Sequence, residues 1–107
     1  MTIEEKLTNV LADATYACSY WAGEVDYEKD KLTKDKFEFF EDRLVNCIMN
    51  GGKVTYFDIE DGEPYVLTLE KFKEGVKKLE KEHDWEYWED YSDEVLQTCL
   101  FGKVVFC

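Results

Sequence analysis

The chain is poor in several of the residues that most often carry chemistry. Its 107 residues include one histidine, one proline and one arginine. A single proline, with no Ser- or Gly-rich tract, leaves no linker to divide it, so one domain spanning 1–107 is expected. No apolar run approaches the roughly 20 residues of a membrane span. The opening residues MTIEEKLTNV hold two glutamates where a signal peptide would carry positive charge and then an apolar run. They predict no export by that route, and hence a reducing, cytoplasmic setting. The four cysteines, Cys18, Cys47, Cys99 and Cys107, form no C-x-x-C pair, so neither a zinc site nor a redox motif is expected. The first three fall on apolar helical faces and read as small buried hydrophobes.

Catalytic signatures are missing as well. There is no G-x-S-x-G, H-E-x-x-H, P-loop or Rossmann glycine pattern. DIEDGEPYVLTL begins like a calcium loop but lacks the glutamate at loop position twelve. His83, in KLEKEHDWEYWED, reads as a surface histidine in the last turn of a helix, where positive charge suits the macrodipole. A general base flanked by carboxylates is the sharper alternative. No enzyme, cofactor or metal site is expected.

What the chain has in quantity is apolar surface and negative charge. Hydrophobic residues make up 45% and aromatics 16%, enough for a packed core. The net charge of −12, from 25 acids against 13 bases, argues against direct nucleic-acid binding.

Periodicity predicts an α+β fold in the order α-α-β-β-α-α-β, with helices packed on a small sheet of about three strands. A helix over 2–23 opens with a Thr2–Glu5 capping box and buries Ile3, Leu7, Val10, Leu11, Ala14, Cys18 and Trp21. Polar EVDYEKDKL reads as a loop. A second helix starts at Thr33, buries Phe37, Phe40, Leu44, Cys47 and Ile48, and stops at Asn50-Gly51-Gly52. KVTYFDIE and PYVLTL form a hairpin about Asp61-Gly62, with Pro64 at the first position of its strand. Thr68 caps a third helix containing Gly75, which costs about 1 kcal/mol against alanine and leaves room for close approach of another element. Ser92 caps a short last helix that Gly102 ends, and KVVFC closes the sheet as its third strand.

The charge is uneven. Between Glu80 and Glu94 stand eight acids and one base, Lys81, so over half of the net charge lies in about a seventh of the chain. Trp85, Tyr87, Trp88 and Tyr91 are interleaved with Asp84, Glu86, Glu89 and Asp90. A solvated acidic face is the plain reading, with Trp85 and Trp88, three apart, both facing the core. Tyr and Trp are also interface anchors, and a negative rim speeds encounter with a basic partner. Residues 84–91 are therefore the candidate partner-binding segment. Tyr16, Tyr20, Trp21 and Tyr27 either close one end of the core or line a pocket that stacks a planar ligand. In the second case Thr33, with Lys29, Lys31, Lys34 and Lys36 nearby, is the best helix start for a phosphate.

The ending DEVLQTCLFGKVVFC resembles that of a family of small phage and prophage proteins. These close with an acidic run and a pattern like D-x-(I/V)-(L/V)-Q-x-x-L-F-G-x-(V/I)-V-(Y/F)-G. Asp93, Val95, Leu96, Gln97, Leu100, Phe101, Gly102, Val104, Val105 and Phe106 match it, and Cys107 stands where the family has glycine. ATYACSYWAGEVDYE, with its Tyr20-Trp21 dipeptide, resembles the family's N-terminal part, and the hairpin its middle. The resemblance implies a mobile-element origin and a host cytoplasm, and supplies no activity.

Three functions follow as expectations. The first is an acidic inhibitor or decoy that binds a basic host defence protein, such as a CRISPR or restriction nuclease, and blocks its nucleic-acid site. The second is a module that sequesters a nucleotide signal. The third is a structural or accessory part that self-associates through Val104, Val105 and Phe106 on an edge strand.

Overall fold

The computed structural model describes residues 1–107, and its class is α+β with a three-stranded antiparallel sheet. The first helix, α1, spans Ile3–Ala17. Thr2 Oγ accepts from Glu5 N (3.1 Å), and Glu5 returns the bond to Thr2 N (2.9 Å), completing the expected capping box. Leu7, Val10, Leu11 and Ala14 are buried along one face, continued by Cys18 and Trp21.

The helix does not run to Gly23. One 3-10 turn, Cys18–Tyr20, follows it, and strand β1 (Ala22–Tyr27) begins where helix and then loop were expected. Strand β2 (Val54–Asp58) lies between β1 and β3 (Pro64–Leu67), giving the order β1-β2-β3. Val25 pairs with Tyr56 and Tyr27 with Val54 across the first ladder, and a register shift between Ala22 and Glu24 bends the strand's start. Val25 and Tyr27 face inward, whereas Glu24 and Asp26 face solvent. The sheet therefore has helices on one face and water on the other.

Helix α2 covers Phe40–Met49 rather than starting at Thr33. Thr33 lies in an irregular stretch pinned to the helix side: its N–H donates to Asn46 Oδ1 (2.8 Å) and its hydroxyl accepts from Asn46 Nδ2 (2.9 Å). The free N–H of Phe39 meets Asp42 Oδ2 at 3.3 Å, so the helix starts where a carboxylate can cap it. Its end is as expected, with Gly51 at φ +82°. The β2–β3 hairpin is also where it was expected, with Gly62 at φ +74° in the turn.

Helix α3 (Leu69–Glu80) is capped by Thr68 Oγ, which accepts from Lys71 N at 3.2 Å. A single turn, α4 (Trp85–Trp88), leads into α5 (Ser92–Phe101). Ser92 is not the cap. It sits inside the first turn, buried, and its hydroxyl donates to Asp13 on α1. Helix α5 packs against both α1 and α3, and α2 against α1; with the inner sheet face they enclose Leu7, Leu11, Leu44, Ile48, Val54, Tyr56, Leu67, Phe72, Val95 and Leu96.

Residues 103–107 form no strand. The order is therefore α-β-α-β-β-α-α-α, with β1 in place of KVVFC as the third strand. The side chain of Gln97 satisfies the Val105 and Phe106 N–H groups, at 2.8 and 2.7 Å, in place of a strand ladder. No helix is long and apolar enough to cross a membrane.

Candidate functional site

The acidic aromatic segment divides into an inward and an outward half. Trp85 is turned into the core and is 7% exposed, so its indole is an anchor for α4 rather than a contact surface. Its Nε1–H is the one buried side-chain donor in the chain with no acceptor. Trp88 is half-buried, and its Nε1–H donates to Leu79 O at 2.9 Å, in the last turn of α3. This pins the α4 turn to the end of α3, on a carbonyl that also accepts from the Glu82 and His83 N–H groups (3.0 and 3.2 Å). Lys6 braces the same corner from α1: its ammonium is 2.8 Å from Glu80 and 5.5 Å from the Trp85 ring centre.

Tyr87 and Tyr91 point outward, 44% and 40% exposed. With His83 they form a ladder at four-residue spacing. His83 stacks on Tyr87 at 4.0 Å and Tyr87 on Tyr91 at 5.0 Å, both at 27°. Trp88 meets Tyr87 edge-on at 5.0 Å and 90°, fixing the ladder from below. The inner ring has both faces covered, so the ladder offers edges and hydroxyls rather than a flat stacking surface. The neighbouring Tyr91 phenol raises the Tyr87 hydroxyl above its ordinary range.

Glu82, Asp84, Glu86, Glu89 and Asp90 are all exposed around this ladder. The chain's one ion pair is Lys6–Glu80, so none of these five carboxylates is neutralised by a neighbouring base. Asp93 leaves the surface group. Its carboxylate accepts from Trp21 Nε1 (2.9 Å), Gln97 Nε2 (3.1 Å) and the Tyr20 hydroxyl. What remains exposed is a rigid aromatic edge ringed by unpaired negative charge. Such a surface can hold arginine or lysine side chains between its carboxylates and phenol oxygens, which accept their N–H groups.

The other sequence candidates scatter. Tyr16 donates to Glu41 (2.8 Å), Tyr20 to Asp93, and Tyr27 packs edge-on against Phe40 at 6.0 Å. Trp21 is buried and stacks on Phe106 at 5.1 Å and 3°. Trp21 is in the core and Tyr27 at its margin, whereas Tyr16 and Tyr20 are exposed, and the four rings do not converge on one another. Thr33 is not at a helix start, and the first turn of α2 carries Glu41 and Asp42, whose charge repels phosphate. A cleft of about 330 Å³ beside it is lined by Lys34 and Lys36, but also by Glu4, Glu38 and Asp42. No three His, Cys, Asp or Glu side chains are placed to hold a metal. His83 belongs to the aromatic ladder, beyond the end of α3; its spacing from Tyr87 and Tyr91 is the signal that places it there.

No family model, curated protein or solved structure matches the chain.

Proposed function

We propose that this is a non-enzymatic binding protein of phage origin. It uses the surface around 82–91 to occupy a basic, nucleic-acid-binding site on a host defence protein such as a CRISPR or restriction nuclease. The observation that carries this reading is the exposed Tyr87–Tyr91 edge with five unpaired carboxylates about it, held rigid by two inward tryptophans. Tyrosines supply contact area at low entropy cost, and the fixed acids steer a basic partner into register. A protein built to bind phosphates meets on this surface the sign of charge it evolved to hold.

The experiment is an affinity capture from nuclease-treated host lysate, followed by association kinetics with the captured protein. The expected partner is a single nucleic-acid-binding protein, released at high salt and displaced by its own nucleic acid. Charge reversal at Glu86, Glu89 and Asp90 should slow association at least tenfold. A captured protein that binds the reversed variant equally well removes this surface from the mechanism. Simultaneous binding of partner and nucleic acid removes the decoy reading.

A further inference from the structure

We infer that the groove holding residues 103–107 is a peptide-binding site, filled here by the chain's own segment, which the same segment of a second copy can occupy instead. Gln97 is fully buried, and its carboxamide reads a dipeptide backbone. Its Oε1 accepts from Val105 N at 2.8 Å and Phe106 N at 2.7 Å, while Nε2 stands 3.1 Å from Phe106 O. Asp93 and Tyr20 hold the amide in that orientation, with oxygens 3.1 and 3.2 Å from Nε2. Residues 103–107 make no hydrogen bond to any other backbone group. The Tyr20 hydroxyl also donates to Phe106 O at 3.3 Å, so two side chains, chiefly Gln97, do the work of a neighbouring strand, as in recognition by strand addition.

Specificity comes from one ring. Phe106 lies parallel to Trp21 at 5.1 Å and is flanked by Phe101 at 5.8 Å and Tyr65 at 6.2 Å. Val104 and Val105 are 47% and 50% exposed and add little. The ligand class is an extended peptide with an aromatic residue whose own N–H, and that of the residue before it, are free. Lys103 is the segment's only charged side chain, so it carries positive charge in a chain of net −12. The segment joins α5 through Gly102 at φ +79°, where open space surrounds the Cβ position and the backbone can pivot. This groove uses none of residues 82–91, so it is independent of the proposed function.

The test uses the full chain carrying Val105→Pro and Phe106→Ala, which empties the groove of its own ring, titrated with the synthetic peptide KVVFS. Saturable one-to-one binding is expected, weakened at least tenfold for KVVAS, which lacks the ring, and for KVPFS, which lacks one N–H. Equal binding of all three, or none, overturns the inference. Failure of the doubly substituted chain to fold shows the segment to be inseparable core and also overturns it. Sedimentation of the intact chain tests the second copy: a dimer fraction rising with salt, and lost with Val105→Pro, is expected. A monomer at every salt and concentration overturns the exchange.

Discussion

Three thiols sit where burial penalises their ionised form. Burial pushes Cys18 and Cys99 up to about 12, and Cys47 also upward, while Cys107 is exposed. Because the thiolate is the reactive species, one thiol per native chain should react quickly with an alkylating reagent, and the other three only on unfolding. Mass spectrometry of the labelled chain checks this. The same shifts set a pH dependence. In the unfolded chain these thiols lose protons near their ordinary value of 9.0; folded, Cys18 and Cys99 keep them to about 12. The thiols' contribution to stability should be constant below about pH 9 and be lost as pH rises through that window, read as a declining urea midpoint above pH 9. Gly75 marks another tight point. A Cβ there would meet Cys99 Sγ and lie 2.9 Å from Cys99 Cα, where α3 crosses α5. Gly75→Ala should therefore destabilise by about 1–3 kcal/mol, since overpacking outweighs the gain in helix propensity. The burial of three cysteines was legible from apolar spacing, and the close approach at Gly75 from a glycine standing inside a helix. The three-residue spacing of Trp85 and Trp88 offered their inward side as one of two readings, and a single turn of helix is too short for periodicity to choose between them.

At the scale of elements, what the sequence misstates is governed by distant partners. α1, the α2 stop, the hairpin and α3 follow local rules of capping, turn chemistry and spacing. β1 does not, because it buries only Ala22 fully and Val25 and Tyr27 in part, with Gly23, Glu24 and Asp26 exposed among them. Such an edge strand exists because β2 is there to pair with it. KVVFC errs the other way: its β-branched residues favour a strand, but the place beside β2 belongs to β1, and Gln97 holds the segment instead. Thr33 is a good cap by type, yet Asn46 and Asp42 together move the helix start to Phe40. The consequence is testable at Gln97. Gln97→Leu keeps the volume but leaves the Val105 and Phe106 N–H groups without their acceptor. It should cost about 2 kcal/mol or more in urea unfolding, with faster amide exchange at 105 and 106 than in α3. Unchanged exchange at those two amides would contradict the hydrogen-bond assignment.

For the whole molecule the governing quantity is charge. A net −12 with one ion pair within the chain means that most carboxylates repel one another without local compensation. The concentration of acids between Glu80 and Glu94 was plain in the sequence. Which of them remain free was not, since that depends on Lys6 reaching Glu80 from α1 and on Asp93 turning toward Trp21. Self-repulsion of this kind lowers stability in dilute buffer and is screened over about 8–10 Å near physiological ionic strength. The thermal midpoint should therefore rise as salt is added, while association with a basic partner should slow. The triple variant Glu86→Lys, Glu89→Lys, Asp90→Lys separates the two effects. Each reversal adds two units of charge, taking the chain from −12 to −6. These side chains are exposed and form no ion pair in the fold, so the variant should melt no lower than the parent and gain less from salt. Its association rate with the captured partner should fall, with dissociation changed far less, because charges at a rim act mainly on encounter. Calorimetry across a salt series and stopped-flow mixing give both readouts on one pair of proteins. A variant that is more stable and binds as fast would show that the charge there serves some other purpose than steering. One that binds slowly while melting normally would tie the unpaired acids to partner encounter.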